Sequence, residues 1–181
     1  LLSFDADTLE LTGGTVSSTS AARYALTFDE DGRLFGIGND VLLEFDPSTL
    51  AIANQRAFSG NMHGLAARGG KLYALTNSPA SLLSFDADTL ELTGGTVSST
   101  SAARYALAFD EDGRLFGIGN DVLLEFDPST LAIANQRAFS GNMHGLAAKA
   151  CKRLNFCGKL DSFVEFIRDW IRGASNEPSR F

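Results

Sequence analysis

Two histidines, two cysteines and several repeated carboxylates are the residues of this 181-residue chain best suited to chemistry. His63 and His144 stand in two copies of the motif GNMHGLA, each with an asparagine two positions earlier, Asn61 and Asn142. An imidazole beside a carboxamide can hold a polar ligand, so these four are the candidate ligand-binding residues. The same glycine-rich motif also makes a turn in which the histidine is merely packed or solvated, and that is the leading reading. Cys151 and Cys157 lie six residues apart, a spacing that matches no zinc pattern, and no nearby histidine completes a site. In one straight strand they would stand about 20 Å apart at roughly 3.3 Å per residue. A disulfide requires Cα atoms within about 7 Å, so only a hairpin would bridge them. Free or intermolecular thiols are the favoured alternative, and a bridge would point to an oxidising compartment.

The carboxylates read as turn formers. DEDG at Asp29–Gly32, repeated at Asp110–Gly113, resembles the start of a calcium loop but lacks the DxDxDG run and the later glutamate. A hairpin turn explains it with fewer assumptions. LTGGTVSSTSAAR contains Gly-Gly but neither GxGxxG nor a P-loop lysine, so no phosphate cradle is indicated. No catalytic residue, metal site or cofactor is assigned.

Composition narrows the classes further. The chain is 44% hydrophobic and 20% charged, enough apolar material for one globular core. Residues 1–148 carry 8 Lys/Arg against 18 Asp/Glu, net −10, and residues 149–181 carry 7 against 4, net +3, which sum to the chain's −7. A body this acidic repels phosphate backbones, so nucleic acid is excluded as its partner. No apolar run is long enough to span a membrane, and LLSFDADTLE lacks the basic and then apolar character of a signal peptide. Localisation stays open, since the chain starts at Leu1.

The elements that must position these residues follow from repetition. Residues 82–149 laid over residues 1–68 match at all but two of 68 positions, Thr27 against Ala108 and Arg68 against Lys149, at a period of 81. Drift would scramble surface positions before leaving such identity, so the duplication is recent or engineered. Each unit contains two related halves: LLSFDADTLELTGG over LLEFDPSTLAIANQ, and DGRLFGIGN over GGKLYALTN. Each half carries four short runs rich in Leu, Ile, Val, Phe and Tyr, bounded by Gly, Asp, Asn, Pro and Ser. Four strands every 40 residues or so is the pattern of a β-propeller blade.

Over residues 1 to about 150 the chain resembles β-propellers of the NHL-like and YncE-like kind, in which LxFDxDGxLF leads to LLxFDPxT, and designed propellers of identical blades. The resemblance implies an all-β propeller of about four four-stranded blades, or half of an eight-bladed assembly. It also places loops such as GNMHG over the central channel. The chain opens on an outer strand pair at Leu1 and should close on an inner pair, with residues 144–157 completing the blade begun by residues 1–17. The second GNMHGLA copy departs from the repeat after Lys149, and residues 149–161 form a divergent closing strand or linker. Apolar Phe163, Phe166, Ile167, Trp170 and Ile171 then recur on one helical face over residues 162–173, ahead of a loose end at 174–181. So short a helix must bury that face on its own body, a second copy or a partner. The leading functional reading is a non-catalytic scaffold or binding module, a homo-oligomer with an unidentified protein or small-molecule partner. The alternatives are a metal-dependent, lactonase-like propeller hydrolase and a self-assembling structural protein.

Overall fold

The computed structural model describes residues 2–14, 25–38, 40–58, 60–77, 80–97, 103–142 and 145–147. The chain divides into two units, Leu1–Lys149 and Ala150–Phe181, and all described residues belong to the first. The expected helix of residues 162–173, its five apolar residues and both cysteines lie outside the described residues.

Every described element is a strand. β1 (Leu2–Phe4) and β2 (Leu11–Gly14) form a hairpin; β3 (Ala25–Phe28), β4 (Leu34–Gly38), β5 (Val41–Phe45) and β6 (Ile52–Ala57) make the first complete blade. β7 (Met62–Arg68), β8 (Lys71–Asn77), β9 (Ala80–Asp86) and β10 (Leu92–Val97) make the second. β11 (Ala103–Phe109), β12 (Leu115–Phe126) and β13 (Ile133–Asn142) make the third. All pairings are antiparallel and join neighbours in sequence. β12 is one element by pairing but serves as two strands. Residues 115–119 bond to β11 and 120–126 to β13, with Asp121 turned to φ 57° between them. The same sequence in the first blade makes β4 and β5, separated by Asp40 at φ 54°.

The hairpin turns explain how so short a repeat closes four strands. In DPSTL, the Asp46 carboxylate accepts from the Ser48 and Thr49 amides and from the Ser48 hydroxyl, while the Leu50 amide donates to the Asp46 carbonyl. This wraps the chain so tightly that Leu50 sits at φ 58°, and Leu9, Leu90 and Leu131 do the same in their copies. A leucine there costs about 1 kcal/mol or more, which the carboxylate network and burial of the side chain offset. Leu50, Leu90 and Leu131 are buried; Leu9 is 76% exposed.

The cores lie within and between blades. One cluster joins Phe35, Ile37 and Leu42 of the first blade to Leu65, Phe85 and Leu90 of the second. Another joins Tyr73 and Leu75 of the second blade to Leu107, Leu124 and Phe126 of the third. A smaller cluster, including Leu43 and Phe45, lies on the other side of the first blade. Inner strands carry the inter-blade contact: β3 and β4 meet β7, and β7 and β8 meet β11. Outer strands are polar, as in IANQRA of β6, which discourages edge-to-edge pairing. The architecture is an all-β propeller of four-stranded antiparallel blades. Of residues 144–157, expected to complete the β1–β2 hairpin into a further blade, 145–147 are described and are not in a strand, and the others fall outside the described residues.

Candidate functional site

The start of β7 is where the candidate ligand residues and the blade-to-blade contact coincide. Asn61 is exposed just before the strand, Met62 is fully buried, and His63 is half-buried and engaged with a neighbour. Gly64 follows for a steric reason. A Cβ built on it would stand 3.0 Å from the carbonyl carbon of Ala106 and the amide nitrogen of Leu107, both backbone atoms of β11. The motif GNMHG therefore lets two innermost strands approach more closely than a side chain would permit. Sequence reasoning read the glycines as a turn, and only the neighbouring strand reveals the packing.

The second copy of the motif is arranged differently. Asn142 closes β13, where it pairs with Asn120 of β12, whereas Asn61 lies outside any strand. His144 is outside the described residues. Of the four candidates, the described structure gives side-chain surroundings to Asn61 and His63 alone.

Most charged side chains near the blade ends are used in holding the fold. Asp29, its side chain 4% exposed, binds Arg33 Nε at 2.7 Å and receives the Arg33 amide at 2.8 Å. Arg33 also reaches the second blade, donating to Asp88 Oδ1 at 2.7 Å and lying over the Phe35 ring. Glu30 accepts from the Gly69 amide at 3.0 Å. Arg68 donates to the carbonyls of Asp110 at 2.7 Å and Glu111 at 3.2 Å and lies over the Phe109 ring. These are polar clasps between consecutive blades. They give DEDG a role its turn character did not suggest: each such hairpin receives the inner hairpin of its neighbour. Arg68→Ala is expected to lower stability by about 1–2 kcal/mol through loss of two hydrogen bonds to carbonyls and the ring contact, as read by urea unfolding.

The turn aspartates are held acidic. The Ser48 hydroxyl and then the Thr49 amide hold the Asp46 carboxyl below the usual carboxylate range, and the Ser129 hydroxyl leads for Asp127. For Asp86 the Thr89 amide is the main cause, and for Asp5 the Thr8 amide. A group whose folded pKa is depressed stabilises the fold above its unfolded value, about 3.9, and loses that contribution as pH falls through the lower folded value. Thermal melts should therefore hold their midpoint down to about pH 4 and fall below it. A combined Asp46→Asn, Asp86→Asn and Asp127→Asn variant, which keeps an acceptor oxygen at each turn, should show a shallower acid fall. Burial has the opposite sign of effect at Tyr73, whose hydroxyl is pushed above the ordinary tyrosine range.

Among the described residues no group of three or more His, Cys, Asp or Glu side chains is placed to hold a metal. No helix among them is long and apolar enough to cross a membrane.

Identical sequence does not give identical surroundings. Leu107 is 6% exposed against the second blade, while Leu26, its copy, is 48% exposed. Phe85 is 1% exposed, and Phe4 is 56% exposed. Among the described residues, large apolar side chains are exposed on the outward side of the first blade, at Leu26 and Phe28, and on the β1–β2 hairpin, at Phe4 and Leu9.

No protein-family model and no curated protein sequence matches the chain. Solved structures do resemble it. Hydrazine synthase of Kuenenia stuttgartiensis superposes with a TM-score of 0.57 at 14% identity, over 71% of this chain and 40% of that one. BamB of Moraxella catarrhalis gives 0.56 at 13% identity, over 71% and 40%. Glutaminyl cyclase of Myxococcus xanthus gives 0.57 at 19% identity, over 74% and 59%. These likenesses place the chain in the β-propeller fold, a class that hosts binding and catalysis alike. The chain spans about two fifths of the first two of these proteins and three fifths of the third.

Proposed function

We infer that the chain is a non-catalytic propeller scaffold or binding module of the NHL-like or YncE-like repeat type. The observation that carries this reading is the use of its polar groups. Asp46, Asp86 and Asp127 close turns, Asp29 and Asp110 pin Arg33 and Arg114, and Glu30 and Arg68 clasp adjacent blades. Carboxylates engaged this way serve rigidity, and a rigid blade end presenting loops is what a binding module requires.

Asn61 and His63, with Asn142 and His144 as their repeat copies, are the residues assigned to ligand contact at the inner-strand ends. A polar small molecule or a peptide loop suits a carboxamide and an imidazole held this way. The test is elemental analysis and ligand screening of purified protein by thermal shift, with Asn61→Ala and His63→Ala as probes. Ligands whose stabilising shift is lost in those variants would support the reading. Stoichiometric calcium or zinc would overturn it in favour of a metal-dependent hydrolase.

A further inference from the structure

A blade's forward face meets the next blade's outer hairpin twice among the described residues: the first blade against Phe85 and Leu90 of the second, and the second against Phe126 and Leu131 of the third. Phe35, Ile37 and Leu42 of the first blade are fully buried against Phe85 and Leu90 of the second, and Arg33 closes the edge by its 2.7 Å bond to Asp88. The third blade repeats that face in identical residues as Arg114, Phe116, Ile118 and Leu123. The β1–β2 hairpin repeats the other half as Phe4, Ala6, Asp7 and Leu9. We propose that the forward face of the third blade is a docking site for the β1–β2 hairpin of a second copy of this chain.

Both halves are less covered than their counterparts between the first and second blades, although Ile118, like Ile37, is at 0% exposure. Phe116 and Leu123 are only half-buried where Phe35 and Leu42 are at 0% exposure. Leu9 is 76% exposed where Leu90 is at 0%. Arg114 is 56% exposed and binds Asp110 and Asp112 of its own turn, whereas Arg33 binds both its own Asp29 and Asp88 of the next blade. Among the described strands, β1 and β2 make no extended contact with β12, although the two surfaces match an interface already made between the same residues. Charge agrees as well: Arg114 meets Asp7 as Arg33 meets Asp88.

The contact is heterologous, one copy giving the face and the other the hairpin. Each copy carries one of each, so a ring of two copies satisfies both surfaces, whereas a rotation that does not close would give longer assemblies. Docking buries two large apolar side chains per contact and adds one clasp, and a second copy is the one partner that carries the complementary sequence by construction.

The test is mass by light scattering on the full chain. The expected result is twice the 19.3 kDa of one chain. Leu9→Asp and Arg114→Glu should each weaken association at least tenfold and return the mass to that of one chain, with unchanged circular dichroism. Combining Arg114→Glu with Asp7→Lys should restore the doubled mass. A doubled mass indifferent to both single changes would place the interface elsewhere and overturn the proposal. A single-chain mass for the unmodified protein would overturn it too. If Leu9→Asp then lowered the melting temperature, the hairpin would be docking on its own third blade.

Discussion

Leu107→Ala is expected to lower the unfolding free energy by about 3 kcal/mol, and Leu26→Ala by less than about 1 kcal/mol, although the two leucines occupy the same position of the repeat. Leu107 is 6% exposed and packs with Tyr73, Leu75 and Leu124 between the second and third blades. Truncating it removes buried apolar surface and leaves a cavity between two sheets whose backbones are fixed by their own ladders. Leu26 is 48% exposed because no described strand packs against that side of the first blade. Truncation there changes little that water did not already reach. Equilibrium urea unfolding of both variants gives the comparison directly. Equal losses would mean that Leu26 is covered in solution.

The second prediction exploits another pair. Gly64→Val should cost about 3 kcal/mol, because the new side chain would be driven into the β11 backbone at Ala106 and Leu107. Neither partner is a flexible side-chain tip, so relief would require the second and third blades to separate. Among the described residues, nothing lies within 4 Å of the corresponding position at Gly145, its repeat copy. Gly145→Val should therefore leave the melting temperature within a degree or two of the parent, since exposed substitutions generally stay within about 0.5 kcal/mol. A large loss at both positions would show that Gly145 also lies against a neighbouring strand in solution.

Much of the blade was legible in the chain itself. Alternating apolar runs bounded by Asp-Gly, DPST and DADT place β3–β6 and β7–β10 close to where they occur, because strand pairing between sequence neighbours depends on short-range turn chemistry. The outer-pair start at Leu1 likewise appears as an isolated β1–β2 sheet among the described residues. Less of the candidate site could be read. His63 and Asn61 could be picked out by type, but the role of Gly64 depends on a strand some forty residues away, and nothing local announces it. The left-handed leucines in the DxxTL turns were equally hidden, since leucine has no propensity for φ near +58° and adopts it only where the aspartate cage and the core hold it. The spacing of DEDG predicts a turn, while its second use as the receiving end of an inter-blade clasp depends on Arg68 and Asp110, forty-two residues apart, meeting in space.

By itself the sequence determined the strand-and-turn unit, its four-stranded layout and its acidic character, all of which depend on residue type and spacing. Only the tertiary structure decided which copy of each residue is buried. Phe4 and Phe85, Leu9 and Leu90, Leu26 and Leu107, Gly145 and Gly64 are identical within each pair, so no local rule can distinguish them. Burial belongs to the neighbour as much as to the residue, and identical blades differ in which neighbour, among the described residues, each of their faces meets.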